Sequence, residues 1–552
     1  MKTDNNNFPG GQWRMICLLL LLAAIPRVVA WSVFDFIDSG GGSDPVAYLN
    51  LARNLFSGEG YSTFGEVHTV HHPLYPVFIG IFWRLLGDLL RAGQAVSVLA
   101  GVALVIPVYG LARNLFGVRA AVYAGLLTAF CPVLVYGSTE VFCESLYVFF
   151  LISALAVFAA AWRNGRTRPM GGAGILTGLA FLTHPAGVTF LPVMPLFLLI
   201  GQALPGRTAW RTLLARSGLL LAGFCLAVLP WWLYLRSATG HWQMSGSSHY
   251  RDISLMTDLI EGRPESEMIF EHMELIYNPD LDPDADREAV GMFELLFRNP
   301  EAQLQLIAFN LAFGAGELEK TARFLGIGFG LLAALLALLV IILAAGVVFF
   351  LKTTRRYAET LLLALCFLPA LTFILVIMQH RYFYPFFPLA WILLGAVLAA
   401  GVERSSRIRR GLFFRWATVG ICLIFLAATA GVIRRKWRKD AIPYEYKLLG
   451  EWMRENIPGL REEKVMAFRL GFSFYADSSW NVFFWGDYPG LLEYMRDRGL
   501  RYLIIDDYKL YMIHPELQFL IEDPPPENWE RIRTEKFRGR RATLLRLRDS
   551  GD

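Results

Sequence analysis

The chain has 552 residues, of which 55% are hydrophobic and only 18% are charged, and its formal net charge is +5. Soluble domains carry roughly 25% charged residues, so this composition excludes an ordinary soluble enzyme and indicates a membrane protein with many spans. Six cysteines in so long a chain do not form a disulfide framework.

Apolar stretches recur along the chain at about the 20-residue length that a helix needs to cross a bilayer. The N-terminal stretch is too long for a cleavable signal and lacks a clear cleavage site, so it is counted as the first span. We predict a polytopic α-helical membrane protein with about eleven transmembrane helices, two of them a pair interrupted at Pro185. The predicted spans are 15–35, 92–112, 119–137, 143–162, 171–183, 185–201, 214–235, 325–351, 358–378, 383–401 and 412–434.

Arginine and lysine residues mark alternate loops, which fixes the expected orientation. We expect the protein to be integral to the plasma (inner) membrane. The positive-inside rule then predicts that the N-terminus, with Lys2 and Arg14, lies in the cytoplasm. Loops 36–91 and 236–324 then lie outside, and the second of them is rich in acidic residues. Because topology accounts for the positive charge, we expect no nucleic-acid partner.

The composition changes after the last span, which divides the chain into a transmembrane domain, 1–435, and an extracytoplasmic tail, 436–552. "YEYKLLGEWMRENIPG" and "YPGLLEYMRDRG" have helical spacing, whereas "KVMAF" and "RYLIIDD" are typical of short buried strands. "WERIRTEKF" and "ATLLRLR" are able to form a closing hairpin. We therefore predict a soluble α/β domain in the tail.

Ionisable residues collect at the predicted outer boundary of the membrane, where a charge is costly and tends to pair or to serve a site. Asp44 precedes Pro45, so it is placed to cap a helix, a role that is compatible with chemistry. Glu144 opens a span, where the helix dipole favours an anion, and Glu140 belongs to the same loop. The other candidates are His72, His184, Arg236, His380 and Arg381.

Each of these residues also has a structural interpretation. Arg236 is placed to anchor a helix end at the interface, and His184 stands in a turn before Pro185. The histidines of "HTVHH" lack zinc spacing, and "NPDLDPDAD" lacks the central glycine and closing glutamate of a calcium loop. We therefore expect no cofactor, and a divalent metal is the less favoured alternative.

Several segments, in their order along the chain, resemble the GT-C superfamily of membrane glycosyltransferases. The resemblance is to the family 39-like group, which includes protein mannosyltransferases and bacterial aminoarabinose transferases. It covers most of the chain, including the tail, although the family often has arginine where this chain has His184. The segments are "SDPVAYLNLARNLFSGEGYS", "HHPLYPVFIGIFWRLLG", "STEVFCESLYVFFL", "LPWWLYLRSATG" and "HRYFYPFFPLA".

The resemblance implies transfer of a sugar, with inversion, from a polyprenyl-phosphate-linked donor to a lipid, glycan or protein acceptor on the extracytoplasmic face. It implies that Asp44 is the base and that Glu144 positions the sugar or the acceptor. Cationic side chains would stabilise the departing lipid phosphate. Membrane lipids are a further expected partner. The implied substrate-binding residues are Tyr48, His72, Glu140, His184, Arg236, His380 and Arg381.

Two other functions fit many spans with interfacial charges. A transporter or flippase of lipid-linked saccharides would show an internal repeat and ionisable groups near the bilayer midplane, and the sequence shows neither. A non-catalytic assembly or sensor protein would tolerate a change of Asp44. The sequence favours the transferase.

Overall fold

The computed structural model describes two units of the chain. The described residues are 9–37, 44–63, 66–201, 209–244, 356–372, 380–404, 408–438, 443–484, 486–507 and 514–548, with a few isolated positions. Unit 1 comprises Met1–Phe34, Thr69–Ser247 and Leu306–Arg434, and unit 2 comprises Asp35–His68, Ser248–Gln305 and Arg435–Asp552. The predicted acidic loop 236–324 and the predicted span 325–351 lie almost wholly outside the described residues.

Long apolar helices make up most of unit 1. The helices of unit 2 are Asp44–Ser57, Tyr444–Asn456, Gly471–Ala476 and Tyr488–Asp497. Short 3-10 helices at Pro185–Phe190 and His380–Phe383 precede α10 and α14. The helices are α1 Pro9–Val33, α2 Asp44–Ser57, α3 Leu74–Leu86, α4 Leu89–Ala103, α5 Val105–Phe116, α6 Val118–Phe130, α7 Pro132–Gly137, α8 Glu144–Arg163, α9 Pro169–Thr183, α10 Val193–Ile200, α11 Trp210–Thr239, α12 Tyr357–Leu365, α13 Pro369–Thr372, α14 Phe386–Arg404, α15 Ile408–Arg438, α16 Tyr444–Asn456, α17 Gly471–Ala476 and α18 Tyr488–Asp497.

Six helices among the described residues are long and apolar enough to cross a membrane, and each overlaps a predicted span. Shorter apolar helices, α3, α6, α9 and the run Pro185–Ile200, lie between them. The membrane-helical architecture is therefore confirmed, while the predicted number of eleven spans stays a prediction. The six are Gln12–Val33, Leu89–Phe116, Glu144–Arg163, Trp210–Thr239, Phe386–Glu403 and Arg415–Arg434.

Proline residues set two of the helix breaks. The sequence predicts one span over 119–137, but α6 ends at Phe130 and α7 begins at Pro132. Cys131, between them, has an extended backbone (φ −57°, ψ 116°), as expected for a residue that precedes proline. The predicted break at Pro185 is present, because His184 is extended (φ −148°, ψ 131°).

Glycines allow α9 and α11 to pack backbone against backbone. A Cβ atom on Gly174 would lie 1.9 Å from the carbonyl oxygen of Leu220, and one on Gly223 would lie 2.1 Å from that of Gly171. Small residues at such crossings are typical of membrane helices, where close van der Waals contact replaces the hydrophobic effect as the driving force. The close approach of these two helices therefore depends on both glycines.

Unit 2 contains a five-stranded sheet with the order β4-β3-β5-β7-β6. The strands β4, β3 and β5 are parallel, and β7 and β6 form the antiparallel hairpin expected from the sequence. Side chains such as Met466, Leu503 and Trp529 are fully buried in its core. The strands are β1 Ser62–Thr63 and β2 Glu66–Val67, which form a separate ribbon, and β3 Lys464–Ala467, β4 Ser479–Val482, β5 Tyr502–Asp506, β6 Trp529–Phe537 and β7 Arg540–Leu547.

Replacing Gly174 by alanine is expected to destabilise the protein by about 1–3 kcal/mol, because the added methyl group would overlap the backbone of α11. The neighbouring Gly172 is the matched control, since a Cβ atom there meets nothing within 4 Å. Gly172→Ala should leave stability unchanged or raise it by up to about 1 kcal/mol through better helix propensity. Thermal unfolding in detergent measures both, and equal effects of the two substitutions would contradict the packing described here.

Candidate functional site

The acidic loop, residues 138–143, joins α7 to α8 and carries the charged centre of unit 1. Glu144 follows it as the first residue of α8 and is only 2% exposed. The hydroxyls of Ser138 and Thr139 donate hydrogen bonds of 2.9 and 2.7 Å to carbonyl oxygens at the end of α7. The loop is therefore a closed turn that holds a buried carboxylate at a helix N-terminus, where the helix dipole favours negative charge.

Arg381 is the ion-pair partner of Glu144. Its Nε atom lies 3.3 Å from Oε1 of Glu144, and the two side chains are 14% and 3% exposed. The guanidinium also lies over the ring of Phe142, 4.8 Å from its centroid. Arg381 belongs to the 3-10 turn that leads into α14. The structure thus brings together two of the residues predicted from distant segments of the sequence.

His184 lies beside this pair, at the junction between α9 and the 3-10 helix that begins at Pro185. Its Nδ1 atom accepts a hydrogen bond of 3.2 Å from the backbone N–H of Ala186. Its ring lies 5.3 Å from that of Tyr147 and 5.7 Å from that of Tyr382. Because Nδ1 is an acceptor, a neutral ring carries its proton on Nε2. His184 is therefore arranged as a neutral N–H donor.

Cys143, Glu144 and His184 offer ligand atoms that lie within 4.8 Å of one another. Thiolate, carboxylate and imidazole are ligands that zinc accepts. Two observations count against a cation among these three residues. Glu144 already pairs with the guanidinium of Arg381, and the neutral tautomer of His184 leaves no lone pair on Nε2. The trio therefore fits a metal ion poorly, and no step of the chemistry is assigned to one.

Glu140 is buried in the acidic loop, with an exposed fraction of 4%. Burial raises its pKa from 4.5 to about 8, because the charged form loses hydration, and a hydrogen bond with Tyr136 opposes the shift. The raised pKa favours the neutral form of Glu140, whereas Glu144 is the charged member of the ion pair.

A chain of hydrogen bonds that the sequence did not reveal supports the acidic loop from behind. The hydroxyl of Ser97, on α4, donates a 3.0 Å bond to the carbonyl oxygen of Phe142. The hydroxyl of Tyr75, on α3, lies 2.7 Å from Ser97 Oγ and 3.1 Å from the carbonyl oxygen of Gly93. Tyr75 is fully buried. Tyr75, the tyrosine of the "PLYP" segment, thus has a structural role. In the sequence, its position between two prolines was the only feature that set it apart.

Three further predicted residues lie in other surroundings. His72 is buried, its Nδ1 bonds the carbonyl oxygen of Phe181, and burial lowers its pKa to about 4, so the ring is neutral. Arg236 is exposed and donates to the carbonyl oxygen of Gly240 at the end of α11. His380 begins the turn that carries Arg381, but its side chain lies outside the described residues. The substrate-binding roles of these three residues remain predictions.

Asp44 and Tyr48 belong to unit 2. Asp44 is the first residue of α2, as its position before Pro45 predicts, and it is the acidic residue of the first helical turn. Tyr48 lies one turn further along α2 and is 5% exposed. The predicted helix over this segment is therefore present, and most of its residues are buried.

Comparisons with known proteins identify a matching family model and similar structures. The family model described as dolichyl-phosphate-mannose-protein mannosyltransferase matches residues 70–234, which include the acidic loop and His184. The chain is similar in structure to ArnT from Cupriavidus metallidurans bound to undecaprenyl phosphate, over 97% of this chain and 98% of that one, with a TM-score of 0.52 and 13% identity. The two chains share a fold.

Two matches from the archaeon Archaeoglobus fulgidus extend the comparison. Its dolichyl-phosphooligosaccharide-protein glycotransferase 3 is 28% identical in an alignment of 232 positions, which covers 35% of this chain and 26% of that protein. The oligosaccharyltransferase AglB of Archaeoglobus fulgidus, in complex with an inhibitory peptide and a dolichol-phosphate, has a TM-score of 0.58 and 16% identity. The match covers 90% of this chain and 70% of the AglB chain. The present chain thus aligns with only about a quarter of the first of these relatives.

The raised pKa of Glu140 predicts a specific dependence of stability on pH. The folded-state pKa of about 8 exceeds the ordinary 4.5, so this stabilisation is complete below 4.5 and is lost as the pH rises through 8. Glu140→Gln removes the titration, so its melting temperature relative to wild type should rise between those values and then level off. Thermal unfolding across this range measures it. Glu403→Gln, at an exposed residue, is the control, and parallel curves for wild type and Glu140→Gln would contradict the prediction.

The buried pair predicts strong coupling between Glu144 and Arg381. Glu144→Met or Arg381→Met alone leaves one charge buried without its partner, which is expected to cost about 3–5 kcal/mol. The double substitution should be closer to wild type than either single one. The exposed pair of Arg119 and Glu403, 3.2 Å apart, is the matched control and should contribute only about 0–1 kcal/mol. Additive effects of Glu144→Met and Arg381→Met on unfolding would contradict the assignment.

Proposed function

We propose that this protein transfers a sugar from a polyprenyl-phosphate-linked donor to an acceptor on the extracytoplasmic side of its membrane. The observation that carries the proposal is the buried Arg381–Glu144 pair with His184 beside it, in a chain with the GT-C fold. The bound lipids of two structural neighbours, dolichol-phosphate and undecaprenyl phosphate, support a lipid phosphate as the leaving group here.

The leaving phosphate needs fixed hydrogen-bond donors, because negative charge develops on it as the glycosidic bond breaks. A guanidinium has five N–H donors, so pairing with Glu144 through Nε does not exhaust the capacity of Arg381. His184 would supply a neutral N–H from Nε2. We assign these two residues to the phosphate, and Glu144 to the orientation of the guanidinium and of the sugar.

Asp44 is the proposed base. Its carboxylate would take the proton of an acceptor hydroxyl as the acceptor oxygen bonds to the anomeric carbon. The bond from that carbon to the phosphate oxygen breaks on the opposite side, so the configuration inverts and the lipid phosphate leaves as an anion. The acceptor is a lipid, a glycan or a protein that carries a hydroxyl group.

The orientation proposed for this reaction follows from the basic loops. By the positive-inside rule, Lys2 and Arg14 favour a cytoplasmic N-terminus for this protein in the plasma membrane. The helix that begins at Asp44, the acidic loop and the tail then face the extracytoplasmic side. Lipid-linked sugars are accessible there without a nucleotide-sugar donor.

Asp44→Asn is expected to reduce sugar transfer at least about 100-fold, the scale of a general base, while the protein stays folded. The assay incubates purified protein with radiolabelled polyprenyl-phosphate monosaccharides and an envelope extract. The matched control is Asp88→Asn, in the same predicted outer loop, because Asp88 caps α4 by accepting from the backbone N–H of Arg91 and asparagine caps equally well.

Transfer by wild type and by Asp88→Asn, but not by Asp44→Asn, would support both the activity and the base. Equal transfer by all three would exclude Asp44 as the base and direct attention to Glu144. Binding of a donor without transfer to any component of the extract would favour the transporter function over the transferase.

A further inference from the structure

Residues 35–68, which leave the first span and carry Asp44, fold with the tail in unit 2. The sequence had assigned them to the transmembrane domain as an outer loop. Two parts of this segment contact tail residues, the stretch Asp35–Ile37 and the region of Arg53 and Glu59 near the end of α2.

The first anchor is the stretch Asp35–Ile37. The backbone N–H of Ile37 donates a 2.8 Å hydrogen bond to the hydroxyl of Tyr475, and the Phe36 ring stacks on that of Tyr475 with centroids 5.7 Å apart. Lys447 donates a 3.0 Å bond to the carbonyl oxygen of Asp35. Phe36 and Ile37 are 5% and 1% exposed, so this anchor is largely dry.

The same stretch also meets the first residue of α16. The hydroxyl of Tyr444 donates to Oδ2 of Asp35 at 3.4 Å, and its ring lies 6.0 Å from that of Phe36. Lys447 Nζ lies 3.7 Å from the same carboxylate oxygen. Asp35 is therefore bound through both its backbone and its side chain by one face of α16.

The second anchor lies near the end of α2. Arg53 forms an ion pair with Asp477, and the two side chains are only 27% and 36% exposed. Asp477 ends α17 in the left-handed conformation, with φ of 53°. Aspartate tolerates this conformation better than most residues, so the position presents a carboxylate where the chain turns. A second pair, Arg461 with Glu59, is more exposed and therefore weaker.

These anchors flank Asp44 in the sequence, and α2 is a continuous helix from Asp44 to Ser57. A helix transmits the position of one end to the other, since its backbone hydrogen bonds run along its whole length. We propose that the tail is a positioning module for Asp44, and that Arg53, Asp477 and Tyr475 are positioning residues of the transfer reaction. This inference rests on the proposed function only for its effect on catalysis.

Two measurements test it. Hydrogen exchange of residues 44–57 should become faster in Arg53→Ala and in Asp477→Asn, which keeps the left-handed turn. The turnover number kcat should fall about 10- to 100-fold with little change in the KM for donor, because a small displacement of a reacting group affects the chemical step more than binding. The double variant should be no worse than the poorer single variant, and Arg53→Lys should recover part of the rate.

Arg501→Ala is the control, because it breaks an ion pair with Glu463 elsewhere in the tail. It should change neither the exchange of 44–57 nor kcat. Unchanged exchange in Arg53→Ala and Asp477→Asn would overturn the anchoring. Faster exchange with a normal kcat would overturn the positioning role and leave the proposed function intact. Faster exchange in a protein whose wild type transfers no sugar would support the anchoring and refute the proposed function.

Discussion

Glu144 and Arg381 are buried together in unit 1, and each charge offsets part of the cost of removing the other from water. The pair joins the N-terminus of α8 to the turn before α14, so it constrains two helices as well as two side chains. The helix dipole favours the anion, and the Phe142 ring lies under the guanidinium. Two further predicted residues lie nearby, His184 beside Glu144 and Glu140 in the acidic loop.

Close helix contacts accompany the pair in unit 1. Gly174 and Gly223 bring together the backbones of α9 and α11, and α9 ends at the turn that presents His184. Gly137 makes room for Tyr384, since a Cβ atom there would lie 2.2 Å from the tyrosine ring. The Tyr75–Ser97 hydrogen bonds then fix the acidic loop against α3 and α4. Glycines thus allow short distances between neighbouring helices, and the buried hydroxyls of Tyr75 and Ser97 orient the backbone of the acidic loop.

Local patterns predicted the elements but not their partners. Hydropathy predicts the six described helices that are long enough to span a membrane, and short apolar runs predict β3 and β5, because each of these signals lies within a short window of sequence. The pairing of Glu144 with Arg381 and the hydrogen bond from Ser97 to Phe142 join residues far apart in the chain, so no local signal reports them. The expected depth of His72 and Arg236 in the membrane groups them with the site, but depth alone does not specify which residues their side chains contact. The grouping of 35–68 with the tail also depends on long-range contacts, which the position of the span could not reveal.

In the proposed reaction, one set of residues stabilises the leaving group and another residue acts as the base. In unit 1, Arg381 and His184 are donors whose geometry is fixed by Glu144 and by the backbone of Ala186, so they need little reorganisation when charge develops on a leaving group. Glu144 pairs with Arg381, and the proposed base, Asp44, stands on α2, near whose C-terminal end Arg53 pairs with Asp477 of the tail. A base on its own module can be positioned independently of the buried ion pair. The tail then contributes to the rate without contributing an atom to the chemistry, since rate depends on how narrowly the base is placed.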